Sequence, residues 1–111
     1  MDLKLSERPL GGCTVIELHG ELDLSSAPGL RERLLAGQAA RLILDLSGLA
    51  FMDSTGLKAL LDANRRARLL GGALTLAAPQ KIVSKMLTVT GLDAHFTILP
   101  TVAAALSAEP A

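Results

Sequence analysis

The segment Arg41-Leu42-Ile43-Leu44-Asp45-Leu46 constrains the fold more than any other part of the chain. A strand with apolar side chains at successive positions needs cover on both faces, a condition met by a parallel sheet with helices packed on it. Arg41 and Ser47-Gly48 bound the run, so it has the length of a buried strand and falls far short of a membrane span. It is the expected central strand, with Leu42, Ile43, Leu44 and Leu46 buried.

The flanking segments alternate between strand and helix signals. Cys13 to His19 has a two-residue period, with Thr14, Ile16 and Leu18 forming the more apolar face. Leu3 to Leu5 is expected to pair with it through a hairpin at Pro9-Leu10-Gly11-Gly12, and Gly20-Glu21-Leu22-Asp23 to end the strand. Ser25 and Ser26 are candidate N-caps for a helix from about Ser26 to Gly37 that faces the core through Ala27, Leu30 and Leu34. Ser47 to Asp53 reads as a loop. Ser54-Thr55-Gly56-Leu57 opens a second helix, with Leu57, Leu60, Leu61, Ala67 and Leu70 toward the core and Asp62 spaced to pair with Arg65 or Arg66. Gly71-Gly72 stops it.

A strand follows at Ala73 to Ala77, then a helix after Pro79 with Ile82, Met86 and Val89 on its apolar face. A short strand is expected at Thr97 to Leu99, and Thr101 caps a final Ala-rich helix. The alternation predicts an α/β fold: one domain over residues 1–111, with a mixed, mostly parallel sheet flanked by helices and joined by right-handed crossovers.

Composition narrows the function. Eleven Lys and Arg balance eleven Asp and Glu, and the aromatics are only Phe51 and Phe96. Neither a basic stripe nor a base-stacking platform is present, which argues against direct nucleic-acid binding. The lone Cys13 forms no internal disulfide and no multi-thiolate zinc site. The charged stretch from Met1 to Gly12 is unlike a signal peptide, so a cytoplasmic protein without membrane insertion is expected.

Catalytic templates fail on inspection. A Gly-x-Ser-x-Gly elbow around Ser54 would need glycine where Met52 stands, and no Gly-x-x-x-x-Gly-Lys-[Ser/Thr] cradle occurs. His19 and His95 lie far apart and read as a strand and a loop residue, and no cofactor is implied. What remains is Asp53-Ser54-Thr55-Gly56 at a helix start. Ser54 there is either an N-cap or a place where unpaired N–H groups and the helix dipole would welcome a phosphoryl group, and the two roles are compatible.

These residues resemble the STAS domains, and within them the bacterial anti-sigma-factor antagonists. The resemblance runs through Gly20-Glu21-Leu22-Asp23, Leu42 to Leu46, Phe51 to Leu57, Gly71-Gly72 and Gly91-Leu92, and the Asp53 to Gly56 motif is its most specific part. It implies phosphorylation of Ser54, with Thr55 the secondary acceptor, by an anti-sigma factor with serine kinase activity, and removal by a PP2C-type phosphatase. It implies a partner-binding surface comprising Asp23, Asp53, Ser54, Thr55 and Gly56, to which this chain adds Lys58 as a residue expected to select a particular partner. From residue type alone Asp23 reads as an Asx turn or a helix-flanking acid. Lys58 stands where such proteins often carry a small residue. The competing expectation is a STAS scaffold, a subunit of a transporter or stress-signalling complex, that is never phosphorylated. The intact motif favours the switch. No enzymatic activity is expected.

Overall fold

The computed structural model describes residues 2–37 and 41–108; Met1, part of the amino-terminal stretch considered above, lies outside them. Strand β1 (Leu3–Leu10) turns at Gly11-Gly12, both at positive φ, into β2 (Cys13–Leu22), and the two pair antiparallel from Leu3–Gly20 to Leu10–Cys13. The hairpin is longer than the sequence suggests, because β1 continues through Pro9 to the turn. Next come α1 (Ala27–Ala36), β3 (Arg41–Met52), α2 (Ser54–Leu69), β4 (Ala73–Ala77), α3 (Lys81–Val89), a 3-10 turn at Leu92–His95, β5 (Thr97–Leu99) and α4 (Val102–Ala108).

The sheet order is β1-β2-β3-β4-β5, parallel from β2 onward. This is the mixed, mostly parallel α/β fold expected, with β3 central. Right-handed crossovers that advance along the sheet in one direction deliver their helices to one face. Accordingly α1, α2 and α3 share a core with Leu42, Leu44 and Leu46 of β3, Ile16 and Leu18 of β2, and Leu74 and Leu76 of β4. The alternate residues Cys13, Val15, Ile43 and Ala77 pack against Ala105 of α4 on the opposite face. The apolar run of β3 is therefore covered twice, as its composition requires.

Four sequence expectations are corrected. Ser47 to Met52 is strand, not loop: β3 continues beside β2 as far as Leu22–Met52, accommodated by irregularities between Glu17 and His19 and between Gly20 and Glu21. The buried stripe of α3 is Val83 and Leu87, whereas Ile82 and Val89 are exposed and Met86 is only partly covered. Leu70 is exposed rather than core-facing. Asp62 bonds Arg31 of α1 at 3.4 Å, across the helix pair, instead of Arg65 or Arg66 on its own helix. The Gly71 turn at positive φ and the Thr101 cap, whose Oγ1 accepts from the Ala104 N–H at 2.9 Å, are as expected.

Candidate functional site

The carboxyl ends of β2 and β3 lie side by side, so the loop leading into α1 and the start of α2 emerge together at one edge of the sheet. Asp53 joins them. Its Oδ1 accepts from the Gly56 N–H at 2.9 Å, closing the first turn of α2, and its Oδ2 accepts from the Leu24 N–H at 3.2 Å. Its own N–H donates to the Leu22 carbonyl at 3.2 Å. One carboxylate thus caps a helix and pins the preceding loop to it, which explains an acid at this position physically.

This corrects the expected cap. Asp53 is the N-cap, and Ser54 is the first helical residue, exposed to solvent, with Thr55 half-buried beside it. Ser54→Ala should therefore leave thermal stability nearly unchanged, whereas Asp53→Ala should cost about 1 kcal/mol. Asp53→Asn, which keeps a side-chain acceptor, should recover much of that loss; paired thermal melts of the three variants check the order.

Ser26 shows a similar displacement. It occupies the N-cap position of α1 but its hydroxyl donates to the Glu21 carbonyl at 2.7 Å instead of capping. Asp23 organises the turn that precedes α1: its Oδ1 accepts from the Ser25 N–H at 3.1 Å, the Ser25 hydroxyl at 2.8 Å and the Ser26 N–H at 3.0 Å. The Asx-turn reading of Asp23 is thereby realised. The Ser25 hydroxyl has the largest influence on its carboxyl; desolvation, next in size, opposes it, and the Ser26 N–H, Ser26 hydroxyl and Ser25 N–H add to the first, so that the carboxyl lies below the usual aspartate value. A depressed native pKa stabilises the turn above the unfolded pKa, and that contribution fades as pH falls through the lower native value. In an acid titration followed by NMR, the Ser25 and Ser26 amides should shift with a midpoint below that of an unstructured aspartate, and Asp23→Asn should abolish the transition.

Gly56 is buried where α2 meets the end of β2. A Cβ there would lie 2.3 Å from the Leu22 carbonyl oxygen, 2.8 Å from Leu22 Cγ and 2.9 Å from Met52 Cγ. Close backbone approach, rather than turn geometry, is what requires glycine in the motif.

Of the residues selected from the sequence, Asp23, Asp53, Ser54, Thr55 and Gly56 meet at this edge, and Gly56 is beneath the surface. Lys58 is exposed one turn along α2. Sequence reasoning missed two residues here: Leu24, 72% exposed between Asp23 and Ser25, and Phe51, 40% exposed two residues before Asp53. Only the structure separates these apolar residues from the many buried ones. Among the described residues no cluster of three or more His, Cys, Asp or Glu suited to a metal ion occurs, and no helix is long and apolar enough to cross a membrane.

Comparison with known proteins gives a consistent picture. The STAS domain model matches residues 7–105. The chain is 34% identical over 94 residues to the anti-sigma-B factor antagonist of Bacillus subtilis (strain 168), covering 83% of each. It superimposes on an anti-sigma factor antagonist from Mycobacterium paratuberculosis with a TM-score of 0.86 at 28% identity, over 96% of this chain and 93% of that one. It also resembles the unphosphorylated form of the anti-sigma factor antagonist SpoIIAA, at 26% identity, a TM-score of 0.71 and 87% coverage of each chain. The chain belongs to the STAS domain family, alongside proteins named as anti-sigma-factor antagonists.

Proposed function

We propose that the chain is a phosphorylation-controlled anti-sigma-factor antagonist. Unmodified, it binds an anti-sigma factor with serine kinase activity through the edge formed by Asp23, Leu24, Asp53, Ser54, Thr55 and Lys58, and so releases the sigma factor. Phosphorylation of Ser54 ends that binding, and a PP2C-type phosphatase restores it. The observation that carries the reading is the placement of Ser54: an exposed hydroxyl at the first position of a helix, free of structural duty because Asp53 does the capping.

The same placement explains the sign of the switch. Phosphorylation adds about −1.5 to −2 charges at pH 7 beside the acids Asp53 and Asp23. The helix amino terminus tolerates the new anion, so the fold survives while the surface presented to the partner changes character. Leu24 and Phe51 add exposed apolar area beside these polar groups, a combination suited to a protein surface with an apolar centre and a polar rim.

The test of the acceptor is intact-mass measurement after incubation with the cognate kinase, or with cell lysate, and ATP. Wild type should gain one phosphoryl group and Ser54→Ala none. Modification of Ser54→Ala at a residue other than Thr55 would refute the assignment, and a wild type that is never modified would favour the scaffold reading.

A further inference from the structure

The carboxyl-terminal half of α2 carries a feature unrelated to Ser54. Between it and α1 lies an open groove of about 290 Å³, floored by Leu34, Ala59 and Ala63. Leu35 on one wall is 63% exposed and Leu69 on the other is 80% exposed. Neither leucine joins the core, and both border the same depression.

The rim is cationic. Arg31, Arg65 and Arg66 line the groove with one acid, Asp62, which is already engaged by Arg31 at 3.4 Å. Arg68 follows on α2, in a chain whose formal net charge is zero, so the positive charge is a local concentration. The Nε of Arg31 is buried with no hydrogen-bond partner among the described residues, leaving this guanidinium under-satisfied. An occupant that complements the groove needs apolar side chains for Leu35 and Leu69 and carboxylates for the arginines.

We infer that this groove docks an acidic amphipathic helix of a partner protein. A concave channel between two helices matches a third helix, whose apolar stripe fills the groove while its flanking carboxylates meet the rim. Concavity disfavours the alternative of an anionic membrane surface, which would call for a convex apolar ridge. The groove-wall residues of α2 that would meet the partner, Arg65, Arg66 and Leu69, lie 11 to 15 positions beyond Ser54, roughly 16–23 Å along the helix at 1.5 Å per residue, while the uncharged floor residue Ala59 is nearer. That distance is about two or more Debye lengths, each about 8 Å at physiological salt, so the field of a phosphate on Ser54 is largely screened at these arginines. The molecule then has two faces, one controlled by phosphorylation and one constitutive, and this inference stands whether or not the proposed switch does.

The experiment uses fluorescence anisotropy with a labelled helical peptide bearing leucines at i, i+3 and i+7 flanked by glutamates, a matched peptide with lysines for glutamates, and phosphatidylglycerol vesicles. The full chain should bind the acidic peptide saturably and the lysine peptide far more weakly. Arg65→Glu with Arg66→Glu, and separately Leu35→Gln with Leu69→Gln, should each weaken binding by about tenfold or more; Leu35, Arg65 and Leu69 are exposed and Arg66 is half-buried, so thermal melts of each variant confirm that it stays folded. Phosphorylation at Ser54, or Ser54→Asp, should change it less than about twofold. Absence of saturable peptide binding, equal binding of the lysine peptide, indifference to both pairs of substitutions, or preferential capture by the vesicles would overturn the inference.

Discussion

Gly56→Ala should destabilise the protein by about 1–3 kcal/mol, despite replacing glycine by the best helix former. In an unconstrained helix that exchange would stabilise by about 0.8–1.0 kcal/mol. Here the added methyl meets the Leu22 carbonyl oxygen at 2.3 Å, and that atom belongs to the backbone of a buried strand. Met52 can rotate away; Leu22 oxygen cannot, because the whole end of β2 would have to move with it. The helix start must shift instead, pulling Asp53 from the Leu24 N–H and displacing Ser54. A fall in Tm of about 4–8 °C for each kcal/mol is the scale for a domain of this size, read by thermal or urea unfolding. A neutral or stabilised variant would contradict the close approach of α2 to β2 on which the site geometry rests.

The second large effect concerns binding. Phosphorylation of Ser54 should lower affinity for the anti-sigma factor by about a hundredfold or more, since like charges brought together across an interface cost several kcal/mol and each 1.4 kcal/mol is about a factor of ten. Ser54→Asp carries a smaller charge than a phosphate and should produce a smaller loss. Ser54→Ala should bind within a few-fold of wild type. Because Asp53 supplies the cap, neither substitution perturbs the helix start, and altered affinity in these variants reports on the surface itself.

How much of this was legible in the sequence follows from the range of the interactions involved. The apolar run Leu42 to Leu46 identifies a doubly covered strand locally, and the helix around Ala27, Leu30 and Leu34 has a single apolar stripe, so both are read correctly. The end of β3 is not legible in this way. Ser47-Gly48 looks like a turn, and only pairing with His19 to Leu22 of a distant segment keeps the chain extended to Met52. In α3 the pairs Ile82-Val83 and Met86-Leu87 offer two apolar stripes about 100° apart; the sheet selects Val83 and Leu87, a choice that periodicity leaves open.

The site divides along the same line. Asp53, Ser54 and Gly56 are selected by their motif, and Asp23 by the family resemblance, whereas its residue type alone signals only the turn it forms. Which of the adjacent residues Asp53 and Ser54 caps α2 depends on the Leu24 N–H, 29 positions away from Asp53 in sequence, which the carboxylate can satisfy at the same time. Leu24 and Phe51 carry no distinguishing local signal, because exposure is a property of the folded surface. The requirement for glycine at position 56 likewise arises from β2, not from the helix that contains it.

The most direct test of the switch is titration calorimetry of the purified chain, before and after stoichiometric phosphorylation at Ser54, against the anti-sigma factor, with thermal melts of both forms. The account predicts tight binding by the unmodified chain, loss of about a hundredfold or more on phosphorylation, and closely similar melting temperatures. Equal affinities for the two forms, with the phosphate confirmed on Ser54, would contradict it.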